Sequence, residues 1–246
     1  MSSPQKKTPG DWESLKSEVH EQHTHIDGQV QDWIGTYTEK GGQIYCGAGC
    51  KNCCRQPVNA VFTEAVCIAE MLSEHQISVL RSDVKRLLDR IGEASDPKSF
   101  HELHCNVIGF CTFLDDDGCC SVYADRPFSC RSLLSTRHSD WCGVDFDTLD
   151  PIKRQNFVRE LDRDVVAYPL HYVAPTIEEG LRVEFTAKEK MVDRFGFALW
   201  GLLPYLVWLE TECELSKVVP QGYSLTVRAV EAHALNHPML LQWGAK

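Results

Sequence analysis

The sequence predicts a mainly α-helical fold with one small β-hairpin, built as a single compact unit around a cysteine-rich module. Three observations carry that expectation. Apolar residues recur at three- and four-residue steps through several long stretches, the period of an amphipathic helix. Nine of the 12 cysteines fall in two short bursts about sixty residues apart. A chain of 246 residues with 43% apolar composition can also bury a core without covalent staples. The expected organisation is an amphipathic helical segment over residues 1–44, a cysteine module over 45–145, and a helical segment over 146–246 packed on it.

Taken in order, Trp12, Leu15, Val19, Ile26, Val30, Trp33 and Tyr37 mark one amphipathic helix, or two short ones broken near Gly28. Beyond the first cysteine burst, Thr63 is a plausible N-cap, and Leu80, Val84, Leu87, Leu88 and Ile91 form a second apolar stripe ending near Gly92. Cys67 falls in this stretch and reads as a core residue. Glu93-Ala-Ser-Asp-Pro97 reads as a turn. Cys111-Thr-Phe-Leu and Cys120-Ser-Val-Tyr123 read as two short strands around Asp115-Asp-Asp-Gly118, with Cys111 and Phe113 on one face and Cys120 and Val122 likewise sharing a face. That acidic turn lacks the spaced oxygen ligands of a calcium loop and reads as solvated.

Farther on, Ile152 to Val166 predicts a helix and Thr186 to Leu209 a long one. Within it, Phe195 to Leu209 is 15 residues without a charge and contains Pro204. A span needs about 20 apolar residues, so no transmembrane segment is expected here. A buried core helix is the favoured reading, with a partner-facing or membrane-surface face as the other.

The first burst, Cys46-Gly-Ala-Gly-Cys50-Lys-Asn-Cys53-Cys54, sets four thiols within nine residues. Thiols so crowded point to a metal, a disulfide set or a redox couple. The polar start, Met1 to Gly10, with no apolar stretch behind it, leads us to expect no secretory signal and a cytoplasmic location. Reduced thiols in that compartment favour metal binding over structural disulfides. Thiolates on a tight glycine-containing loop can converge on one ion, with more distant cysteines completing the set, and Gly47 and Gly49 permit the backbone angles this needs. Adjacent Cys53 and Cys54 rarely serve one ion together, so one would ligate while the other serves a second ion or packs inside. Thiolate donors suit Zn²⁺ and iron–sulfur clusters and disfavour Mg²⁺ or Ca²⁺.

This burst resembles the C-x2-C-x2-C-C signature of the zinc- or iron-chelating cysteine-cluster proteins (CxxCxxCC, YkgJ type). The second burst, from Cys111-Thr-Phe-Leu through Cys119-Cys120-Ser-Val-Tyr123 to Arg126-Pro127-Phe-Ser-Cys130-Arg131, is similar to that family's C-x-F-L…C-x-I-Y-x-x-R-P-x-x-C-R segment. The resemblance spans about residues 46 to 131 and implies Cys46, Cys50, Cys53, Cys54, Cys111, Cys120 and Cys130 as metal ligands. Two departures stand out. Three residues separate Cys46 from Cys50 where the family has two, and Cys119 is an extra thiol that leaves open which of Cys119 and Cys120 ligates. One branch resembles the domain found within flagellin lysine methylases.

Arg126 and Arg131 flank Cys130 and are candidates for the cofactor's surroundings, since guanidinium charge stabilises a multiply thiolated centre. The competing reading pairs each with Asp125, Asp140 or another local carboxylate. His101 and His104 beside Cys105, and the trio His20, His23 and His25, are crowded but lack the partner spacing of a known zinc signature, so they read as exposed or core histidines. His138, between Cys130 and Cys142, is the better mixed-ligand candidate, and a role for Cys142 itself stays open. Net charge is −10, from 35 acidic and 25 basic residues, with no basic patch interleaved with aromatics, so no nucleic-acid partner is expected. There is no Gly-rich phosphate loop, nucleophile elbow or dinucleotide fingerprint. The functional expectation is an iron–sulfur protein in redox chemistry or electron transfer with a protein or redox partner. A structural zinc module is the alternative, and a protein-modifying enzyme a second one implied by resemblance alone.

Overall fold

The computed structural model describes residues 10–47 and 49–245, with side chains in the first helix from Trp12 onward. That helix, α1 (Gly10–Glu39), runs unbroken through Gly28. An added Cβ at Gly28 would meet nothing within 4 Å, so this glycine costs helix propensity without marking a break. Trp12, Leu15, Val19, Ile26 and Val30 are buried, and Trp33 stacks on Tyr37.

The second apolar stripe forms two helices after a short strand: β1 (Asn59–Val61), α2 (Phe62–Met71) and α3 (Glu74–Leu88). Helix α2 starts one residue before Thr63, and its N-terminal cap is the Glu64 carboxylate, which accepts from the Val61 N–H at 2.9 Å. Ser73 caps α3, with the Gln76 side chain accepting in return from the Ser73 N–H. Asp96 caps α4 (Pro97–Val107), and Pro97 sits in its first turn, where a missing N–H costs nothing.

Next come α5 (Phe128–Ser132), α6 (Pro151–Arg159) and α7 (Ala174–Phe195), α6 ending well before Val166. The long helix expected through Leu209 is instead helix, strand and helix. Helix α7 stops at Gly196 in the left-handed region, β2 (Phe197–Leu202) follows, and α8 (Leu203–Cys213) restarts with Pro204 in its first turn. A continuous apolar run buried on both faces fits a central strand as well as a core helix, and β2 is such a strand. Helices α9 (Leu215–Val218) and α10 (Tyr223–His233) and strand β3 (Leu241–Ala245) complete the chain.

The fold is mainly α, with its β structure in a three-stranded antiparallel sheet ordered β1-β2-β3. Ala60 pairs with Gly201, and Leu199 with Trp243. The expected hairpin over residues 111–123 reduces to a single antiparallel bridge between Leu114 and Cys120. The main core joins the inner faces of α1, α2, α7 and α8 to β2, with Phe62, Met191, Phe197 and Tyr205 fully enclosed. A smaller apolar cluster of Phe157, Leu161 and Val166 supports Trp141 and Phe146. Close approach of α7 to α5 depends on Gly180, where a Cβ would lie 2.4 Å from Ser132 Oγ. Among the described residues no helix is long and apolar enough to cross a membrane.

Candidate metal centre

The first burst has no room for regular structure. A turn with Gly49 at positive φ brings Cys50 N–H to the Gly47 carbonyl at 3.1 Å, and a 3-10 turn over Asn52–Arg55 then presents Cys53 and Cys54. Residues 45–46 lie along Ser135: Tyr45 N–H donates to the Ser135 carbonyl, and Ser135 N–H donates to Cys46 Sγ at 3.2 Å.

Backbone bonds seat the second burst against the first. Cys111 N–H donates to the Cys54 carbonyl at 2.8 Å. The acidic turn closes on itself, Asp115 Oδ1 accepting from Cys119 N–H at 2.8 Å, with Gly118 at positive φ over Lys51. Cys119 is exposed at this turn, whereas Cys120 is half-buried on the side of Cys111 and Cys130. The chain then passes through a 3-10 turn, Tyr123–Asp125, into α5, which carries Cys130. The Phe128 N–H at the head of α5 donates to Glu64 Oε1 at 2.8 Å. Glu64 therefore holds both its own helix start and the helix bearing Cys130. It is only 1% exposed, and nothing in the sequence marked it.

The sulfurs gather in two groups that share Cys53. In the inner group, burial holds the Cys130 thiol far above its ordinary pKa, reinforced by Cys111, Cys53 and Cys120 nearby. Burial likewise pushes Cys111 up to about 12, with Cys120, Asp83 and Cys53 adding to it. Contact with the Cys54 sulfur raises Cys53, with desolvation second. The outer group contains Cys46, Cys50 and Cys142. Burial pushes Cys46 up to about 11, opposed by the Ser135 N–H and reinforced by Cys142, Cys50 and Cys53. Cys142 sits on the 3-10 turn Ser139–Gly143, its Sγ 3.4 Å from His171 Nε2, where burial raises its thiol and hydrogen bonds to Tyr172 and Ser135 oppose the rise. Gln56 ties the two 3-10 turns through the Cys142 carbonyl. Six of the seven resemblance-derived cysteines thus lie in these groups, the seventh, Cys54, touches Cys53, and Cys142 joins them.

The arginines answer both sequence readings. Arg131 is buried and donates to the backbone carbonyls of Ala124 and Arg126 and to Asp27 of α1, a carboxylate the local sequence does not contain. Arg126 lies 4.2 Å over the Tyr123 ring and 3.8 Å from Asp27. Together they offset the burial-driven rise of the Cys120 thiol, and Arg126 does the same for Cys53. His138 points outward, its Nδ1 3.2 Å from Asp140. His101 bonds Gln56, and buried His104 is pushed down to about 4 by desolvation.

These thiols fit a metal by their chemistry. Burial favours the neutral form of the inner thiols, Arg126 and Arg131 offset this only in part, and a multivalent cation would supply the charge balance that several thiolates need. The inner donors are sulfur, with His171 Nε2 beside Cys142 in the outer group, a set that suits zinc or an iron–sulfur cluster. Among the described residues no three of these sulfurs lie within 4.8 Å of one another.

Residues 45–148 match the model of the CxxCxxCC family, described as a putative zinc- or iron-chelating domain. No curated protein and no solved structure matches the chain.

Proposed function

We propose, from the CxxCxxCC domain that residues 45–148 form, that this metal-binding chain holds an iron–sulfur cluster and uses it in electron transfer. The observation that carries the reading is the inner group: Cys53, Cys111, Cys120 and Cys130, drawn together from both bursts. Four thiolates are ligands for Zn²⁺ and for iron–sulfur clusters alike, and the seven cysteines of the implied set exceed what one tetrahedral ion takes. Cys46, Cys50 and Cys54 complete the ligand set implied by the family, as reserve or second-centre donors.

A cluster supplies reversible one-electron chemistry. The protein's part is to desolvate the inner thiolates and to place the Arg126 and Arg131 charges beside Cys120. It also leaves the outer edge, at Cys46, close to solvent where a redox partner can approach. Anaerobic purification followed by iron, zinc and acid-labile sulfide analysis tests this. Iron with matching sulfide, and a visible absorption that bleaches on reduction, is the expected result. Zinc without sulfide would replace the proposal with a structural zinc module.

A further inference from the structure

His20, Cys67 and Asp125 come from α1, α2 and the turn before Arg126, and none belongs to the sulfur centre. One ligand atom from each, a ring nitrogen, Sγ and a carboxylate oxygen, all lie within 4.8 Å of one another. Among the described residues this is the one His/Cys/Asp/Glu trio so assembled. His20 Nε2 and Asp125 Oδ1 are 2.7 Å apart. Cys67 is 5% exposed and forms the floor, while the His20 side chain is 54% exposed and forms a solvent-facing rim. One turn along α1, His23 is buried and neither ring nitrogen makes a hydrogen bond, its Nε2 lying 3.8 Å from Glu64 Oε1, so this face carries a second imidazole. A His–Asp ion pair alone would account for two of the three groups; it would not bring a buried thiol to them from a third element.

We propose that His20, Cys67 and Asp125 form a second, mononuclear site for a divalent cation of the Zn²⁺ class. One imidazole, one thiolate and one carboxylate are each ordinary zinc ligands, and mixed N, S and O donors suit that ion better than Mg²⁺ or Ca²⁺. Three protein ligands leave a fourth position open, here at the rim, for water or a ligand molecule. Binding breaks the His20–Asp125 hydrogen bond and forms the metal–sulfur bond as the thiol proton passes to solvent. His20 lies outside residues 45–148, so the site ties α1 to the cysteine module through a residue that the family match does not cover. It does not depend on what the sulfur centre holds.

Cobalt titration of the full-length protein, with its native metal content left in place, reads the site directly. One equivalent of Co²⁺ is expected to bind with tetrahedral ligand-field bands and a sulfur-to-cobalt charge-transfer band. Cys67→Ser should abolish the charge-transfer band. His20→Ala and Asp125→Asn should weaken binding by about a hundredfold or more, with iron and sulfide content unchanged in all three. His20 is exposed, so its variant keeps the test meaningful even where Cys67→Ser perturbs folding. A cobalt spectrum unaffected by His20→Ala, or one lost in Cys130→Ser but kept in Cys67→Ser, would overturn the proposal. Persistence of the cobalt site in a Cys130→Ser background separates it from the fate of the sulfur centre.

Discussion

Removing the Glu64 carboxylate should unsettle the module more than removing any other acidic side chain we can point to. Its two oxygens accept from Val61 N–H at 2.9 Å and from Phe128 N–H at 2.8 Å, and the residue is 1% exposed. Each hydrogen bond to a charged group contributes about 1.5–3 kcal/mol, and a buried donor left unmatched costs a similar amount. Glu64→Ala strands both N–H groups, so a loss of about 3–6 kcal/mol is expected. Glu64→Gln keeps one acceptor oxygen and turns an NH₂ toward the other donor, for about half that loss. Urea unfolding at fixed metal content measures both, with unchanged m-values as the check on two-state behaviour. Phe128 lies two residues before Cys130, so faster metal release should accompany the lost stability. A Glu64→Ala protein within about 1 kcal/mol of wild type would refute the view that one carboxylate braces both helix starts.

Other expectations follow from single sites. Cys53→Ser and Cys130→Ser should release the sulfur centre's metal and destabilise the chain by several kcal/mol, whereas Cys213→Ser should do neither; equal metal content in all three would show that the ligands lie elsewhere. Gly201→Ala should cost about 1–3 kcal/mol or more in thermal or urea unfolding, because its Cβ would sit 2.2 Å from the Leu240 carbonyl oxygen, and backbone cannot step aside. His104 is neutral in the fold, with its pKa lowered from 6.5 to about 4. The unfolded chain therefore takes up this proton first as pH falls, and stability present above 6.5 drains away toward 4. That amounts to about 2 kcal/mol by about pH 5, and His104→Gln should flatten this part of the stability–pH curve.

Helix content was legible because its signal is periodic: the stripe from Trp12 to Val30 places its residues in the core of α1. The sheet was not, because its central strand is apolar on both faces and lies between two helices, so Phe197–Leu202 carries no alternation to read. Gly196 and Gly201 were the available signals. The first ends α7 at positive φ, and the second admits β3's approach. At the site, spacing and resemblance found the cysteines. Their supports escaped because they lie far away in sequence: Asp27 under Arg131, Glu64 under Phe128, and His171 beside Cys142. A buried acid at a helix start reads as an ordinary cap until the second amide it holds is seen.

The two sulfur groups differ in a way that bears on how the proposed cluster would work. Inner thiols Cys111 and Cys130 are set by backbone bonds to the first burst and by Glu64, and desolvation dominates their chemistry. The outer side has donors aimed at sulfur: the Ser135 N–H on Cys46, with Tyr172 on Cys142. Donors to a thiolate sulfur withdraw charge from it and raise the potential of the metal behind it, whereas burial of net negative charge lowers that potential. Cys53 belongs to both sides, with its sulfur against Cys54. An electron entering at exposed Cys46 would thus meet the donor-rich edge first and the anchored, desolvated thiols behind it. In the proposed arrangement the inner thiols would hold the metal, and the outer donors would tune its reduction through Cys53, which both groups share. Tyr172→Phe should accordingly shift potential with metal content intact, the reverse of what Cys130→Ser does.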